Sequence, residues 1–195
     1  KPAWYAFRRS AAPRAVTVAP VGAGVVVTAI NDEREPWRAE LVLHVHTPAG
    51  GWTSVATPVV VPGDSVHHVD VEAVLGMTVA PDTIVVADLD GHRHVHAPDG
   101  AAPEARWDTG ATPTARGWRV SVTAHTLVTD LCLFADRLDP AATVDAQLVD
   151  LLPGETHVFD VSLPAGLSID PITTATRPVL RAGNDRPAPP RTIAR

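Results

Sequence analysis

Turn signals recur along this chain at intervals of roughly 8 to 12 residues, and that punctuation limits the possible folds more than any other feature. With 13 glycines and 19 prolines among 195 residues, the elements between turns must be short. Between the turns, apolar and polar residues alternate with the period of a half-buried strand. Arg38 to Thr47 is the clearest case: Ala39, Leu41, Leu43 and Val45 point one way, and Glu40, Val42, His44 and His46 the other. Val16 and Val18, then Val25 to Ile30, read as two strands across Gly22-Ala23-Gly24, with Asn31 to Pro36 as a polar turn. Trp52 to Val61 and Ser65 to Val71 flank Pro62-Gly63-Asp64. Asp82 to Leu89 and His92 to Ala97 flank Asp90-Gly91, a two-residue hairpin signal. A second series follows: Gly117 to His125, Leu127 to Ala135, Val144 to Leu152, Thr156 to Leu163 and Ile172 to Leu180. The expectation is an all-β chain of two immunoglobulin-like antiparallel β-sandwich domains preceded by a short helix.

Length agrees, since one such sandwich needs about 100 residues. The division read from the sequence is a helical segment at 1–13, a first sandwich at 14–100, a second at 104–182 and a disordered tail at 183–195. The helix rests on Pro2, suited to a first turn, and on Trp4, Phe7 and Arg8 sharing one face. So short a helix is marginal alone in water, and its crowded aromatics suggest docking. Both halves carry a Pro-Gly-acid turn before an alternating strand, at Val61-Pro62-Gly63-Asp64-Ser65 and Leu152-Pro153-Gly154-Glu155-Thr156. A duplicated plan and a common turn used twice explain that equally well.

Hydrophobic residues make up 45% of the chain, enough for a core, and charged residues only 19%. The formal net charge of −6 is opposite to the basic footprint of a nucleic-acid binder. No apolar stretch approaches the ~20 residues of a membrane span. The N-terminus lacks the pattern of a signal peptide, which gives the expectation of a cytoplasmic protein. Cys132, the only cysteine, excludes an internal disulfide and reads as a buried structural thiol in Leu131-Cys132-Leu133-Phe134. Lys1 as the only lysine, among many Ala, Val, Pro and Asp, reads as the codon bias of a high-GC bacterium.

His44 and His46 share one face of a strand, and His92, His94 and His96 share one face of another. Such His-X-His pairs can hold zinc, but no third ligand can be placed, and a half-exposed strand needs a polar face in any case. The second reading is preferred, so no metal or other cofactor is expected. His67 and His68 point to opposite faces. The acids fall mostly in turns (Asp32, Glu33, Glu35, Asp64, Asp90, Asp99, Asp139 and Glu155), where carboxylates bond their own backbone. No facing pair suits glycoside hydrolysis, and no Gly-X-Ser-X-Gly elbow or phosphate loop is present. No catalytic residue is assigned. Of the five tryptophans, Trp118 reads as core and Trp37 and Trp107 as core or interface. Trp52, placed at a loop tip after Gly50-Gly51, is the one candidate for stacking on a sugar ring, against the alternative of a lid on the sandwich end.

Lys1-Pro2-Ala3-Trp4-Tyr5-Ala6-Phe7-Arg8-Arg9, followed by Pro13, resembles the end of the catalytic barrel in β-mannosidases of glycoside hydrolase family 2. Val25 to Ala39, with Asn31-Asp32 and then Glu35-Pro36-Trp37-Arg38, resembles the opening of the next domain of that family. Asp145 to Glu155, ending Leu151-Leu152-Pro153-Gly154-Glu155, resembles its final sandwich; Ala146-Gln147 departs from the expected Asp-Asn-type pair. The resemblance implies a non-catalytic C-terminal accessory region of an enzyme that hydrolyses terminal β-mannosides with two glutamates. Those glutamates belong to the barrel and match nothing here, so the chain alone is expected to be inactive. The implied partner is the barrel of the same parent chain, with carbohydrate as a further one and neither nucleic acid nor membrane. A carbohydrate-binding module pair and a protein-interaction module are the alternatives.

Overall fold

A computed structural model describes residues 2–22, 24–48, 51–164 and 178–185. Helix α1 (Pro2–Ser10) opens the chain. Strands β1 (Arg14–Val21), β2 (Gly24–Asn31), β3 (Trp37–Thr47), β4 (Gly51–Val61) and β5 (Ser65–Asp70) follow, then helix α2 (Val71–Leu75), β6 (Ile84–Leu89) and β7 (His92–His96). The second series is β8 (Trp107–Thr114), β9 (Gly117–Ala124), β10 (Val128–Leu133), β11 (Thr143–Val144), β12 (Val149–Leu151), β13 (Thr156–Ser162) and β14 (Leu180–Arg181). The chain divides into two compact units, Ala6–Ala102 and Lys1–Tyr5 with Pro103–Arg195.

Both units are antiparallel sandwiches, as the alternation predicts. In the first, the sheets are β1-β2-β5 and β4-β3-β6-β7. Alternation decides what each strand buries: Val25, Val27 and Ala29 from β2, Leu41 and Leu43 from β3, Val85, Ala87 and Leu89 from β6. Trp37 opens β3 and is 2% exposed, the buried tryptophan that immunoglobulin-like sandwiches place on their third strand. Arg14 lies over its ring and His92 meets its edge. The Asp90-Gly91 hairpin forms as read, with Leu89 paired to His92 and positive φ at both turn residues.

In the second unit the sheets are β11-β13-β9-β8 and β12-β10-β14. Val120, Val122, Phe159 and Val161 fill its core, with Trp107 and Trp118 half-buried against it. Cys132 is buried. The wiring follows that of the first unit, with the short β11 added beside β13. Two strands pair, a third (β3 or β10) starts the other sheet, its neighbour (β4 or β12) returns through the Pro-Gly-acid turn, and the next strand (β5 or β13) pairs with the second. The two turns therefore hold equivalent places. Pro20, Pro58 and Pro113 all lie in edge strands, β1, β4 and β8, where a missing N–H costs no ladder bond.

Three readings need correction. Val71 starts helix α2 rather than ending a strand: the Asp70 carboxylate caps it by accepting from Glu72 N and Ala73 N, and left-handed Gly76 closes it. Val144 to Leu152 is two short strands, interrupted where Leu148 takes a positive φ of 59°. Gly183, Asn184 and Asp185, read as the start of a tail, are bonded into the second sandwich. Residues 172–177 of the last expected strand and 186–195 of the tail lie outside the described residues. Tyr5, read as part of a separate helical segment, donates from its hydroxyl to Val144 O at 2.6 Å.

Candidate functional site

Five histidines lie on two strands, β3 and β7, of one sheet of the first sandwich. Strand register decides which of them can meet, because directly opposed residues share a sheet face. His44 and His46 on β3 face Val86 and Ile84 on β6. His92, His94 and His96 on β7 face Leu89, Ala87 and Val85. Adjacent residues of β6 point to opposite faces, so the two histidine sets stand on opposite sides of one sheet. The five cannot assemble into one ligand set there.

Most of these imidazoles have partners in the fold. His44 Nδ1 is 2.8 Å from Ser54 Oγ. His46 packs on Trp52, its opposite number on β4, with ring centroids 5.1 Å apart. His92 meets Trp37 edge-on at 5.2 Å, and His94 Nδ1 accepts from Val18 N at 3.2 Å. His96 is half-buried. On the neighbouring sheet His68 Nδ1 is 3.0 Å from Thr28 Oγ1. Among the described residues, no group of three or more His, Cys, Asp and Glu is arranged to hold a metal ion.

Trp52 is not at a loop tip. It is the second residue of β4, half-buried, with its ring tilted 51° against His46. The acids behave as turn acids. Glu33 pairs with Arg14 at 2.7 Å, Asp90 Oδ2 accepts from Trp37 Nε1, Asp139 Oδ1 accepts from Ala141 N, and Glu155 Oε2 accepts from Leu152 N. Asp88 holds Arg93, and Arg119 meets Asp160 across two strands of the second sandwich.

Of three polar side chains central to the structure, the sequence marks Asn31 only as part of a polar turn and does not single out Asn184 or His157. Asn31 is fully buried, with Nδ2 in reach of the carbonyls of Glu35, Val61 and Pro62. Asn184 donates to Pro103 O and Leu127 O while its Oδ1 accepts from Thr129 N. His157 lies half-buried with its ring against Phe159. Burial lowers its pKa below 6.5, against the opposing pull of the Asp145 carboxylate. Asparagine at the end of a strand is a weak turn signal; nothing local marks the other two.

Fold and side chains define a pair of antiparallel sandwiches whose ionisable groups mostly serve turns, strand edges and core margins. No protein-family model matches the sequence. No curated protein matches it either. Among solved structures, the β-D-mannosidase from Dictyoglomus thermophilum is similar to 95% of this chain, at a TM-score of 0.64 and 15% identity. The match covers 23% of that chain, so this one spans less than a quarter of its solved neighbour. At that identity the likeness is one of fold. Red sea bream transglutaminase matches 78% of this chain at 12% identity, covering 27% of its own, with a TM-score of only 0.31.

Proposed function

We propose that this chain is the non-catalytic C-terminal accessory region of a β-mannosidase-like glycoside hydrolase. In this reading it braces the catalytic barrel of its parent chain or shapes the rim of the barrel's pocket. One observation carries the reading: 95% of this chain is similar in fold to part of a β-D-mannosidase. The side chains agree with it: Glu33, Asp139 and Glu155 are engaged in an ion pair and turn bonds, and Asp70 caps a helix. The sequence resemblance at Lys1 to Pro13, Val25 to Ala39 and Asp145 to Glu155 points the same way. Hydrolysis of terminal β-mannosides by two glutamates then belongs to the parent, outside these residues.

The purified chain should release no chromophore from an aryl β-mannoside, while a parent that includes the barrel should do so. Turnover by the purified chain alone would refute the non-catalytic assignment. The carbohydrate-binding alternative depends on Trp52. With one side of its ring set against His46, Trp52 is a poorer platform than a loop-tip tryptophan. Titration with manno-oligosaccharides, comparing the chain with Trp52→Ala, should show no saturable binding in either; binding lost in the variant would favour the module reading.

A further inference from the structure

β1 is the outer strand of one sheet of the first sandwich and β7 the outer strand of the other, and the two pack along each other without pairing as a ladder. A side-chain bond crosses this seam: Val18 N–H donates to His94 Nδ1 at 3.2 Å. Backbone N–H groups alternate in direction along a strand, and that of Val18 points away from β2. Two residues on, the same side of β1 belongs to Pro20, which has no N–H. Val18 itself is 4% exposed, so its N–H has little access to water and needs a partner within the protein.

An accepting Nδ1 requires a neutral imidazole with its proton on Nε2. A second proton, added at Nδ1, turns the acceptor into a donor and sets N–H against N–H. We propose that His94 is a proton-operated fastener: protonation at Nδ1 releases Val18 and opens the seam between β1 and β7. The neighbouring strands bring the following groups to the seam. Arg14 is the only charged residue of β1. The β6 side chains on the same face are Val85, Ala87 and Leu89, and β7 adds His92 and His96. Asp88 and Arg93 pair with each other on the opposite face, and Asp90 in the connecting turn is bonded to Trp37 Nε1.

The test is hydrogen exchange of the intact chain between pH 7.5 and 5.5, corrected for intrinsic exchange. Protection of β1 should fall by up to about tenfold per pH unit once the imidazole titrates. His94→Asn, whose amide oxygen can accept the same bond without titrating, should keep β1 protected throughout. His94→Leu should leave β1 poorly protected at every pH. In the unmodified chain, the Val18 amide shift and the His94 ring resonances should titrate with one shared midpoint. Exchange of β1 that ignores pH, pH dependence that survives in His94→Asn, or separate midpoints for the two resonances would overturn the assignment.

Discussion

In the first sandwich Pro62-Gly63-Asp64 carries the chain from β4 to β5, and in the second Pro153-Gly154-Glu155 carries it from β12 to β13. The letters are nearly the same and so is the place in the wiring, yet the glycines serve different ends. A Cβ on Gly63 would stand 2.0 Å from the carbonyl oxygen of Arg34, so that glycine exists for a close approach of two backbones. The positive φ of this turn falls instead on Asp64, at 50°. Gly154 has open space around its Cα but a φ of 88°, which side-chain-bearing residues rarely adopt. Around Gly63 a second turn closes in: Asp64 N donates to Glu33 O, and Asn31 reaches across to Val61 and Pro62. The Gly154 turn has one bond of its own, Glu155 accepting from Leu152 N, and is tied to the end of β9 by Gly154 N donating to Ala124 O. A shared motif thus marks a shared position without implying a shared physical cause.

Alanine should separate the two causes. Gly63→Ala forces a side chain into backbone and should cost about 3 kcal/mol or more in the first sandwich. It should lower hydrogen-exchange protection across β2 and β5 while β9 and β13 hold theirs. Equal losses in both sandwiches would contradict the contrast. Next in size are the two amides. Asn31→Ala and Asn184→Ala each strand buried backbone groups, and each should cost about 2 kcal/mol in chemical denaturation, confined to its own sandwich. Gly154→Ala should cost only about 1 kcal/mol, the penalty of the backbone region rather than of a clash.

The smallest effect is a pH dependence in the second sandwich. Burial holds the folded-state pKa of His157 below its unfolded value of 6.5, so the unfolded chain takes the proton first. The neutral ring's contribution is complete above pH 6.5 and is lost as pH falls toward the folded pKa. His157→Phe, which keeps a ring against Phe159, should flatten that part of the stability profile of the second unit. A slope unchanged by the substitution would assign it to another group.

What could be read from the sequence was local. The alternation of β3 and the Asp90-Gly91 hairpin follow from period and turn chemistry within a few residues. Helix α2 carried its own signals, Asp70 before it and Gly76 after it, but five residues of Val-Glu-Ala-Val-Leu also continue a strand pattern. Asn184 could not be found, because its partners Pro103, Leu127 and Thr129 are more than fifty residues away along the chain. Alternation put His44 with His46 and His92 with His94 and His96. That the two sets occupy opposite faces depends on the β3–β6–β7 register, which only pairing reveals. β4 already begins at Gly51, so Trp52 sits within the strand and leans on His46 rather than standing open at a loop tip.

Pro20, Pro58 and Pro113 bear on how such a chain survives at high concentration. Close to half of its residues are hydrophobic, and exposed strand borders are where β proteins recruit one another into fibres. A proline in each of these border strands interrupts the row of donors that an incoming strand would need. A strand of another copy would therefore find fewer donors along β4 and β8 than along a border free of proline.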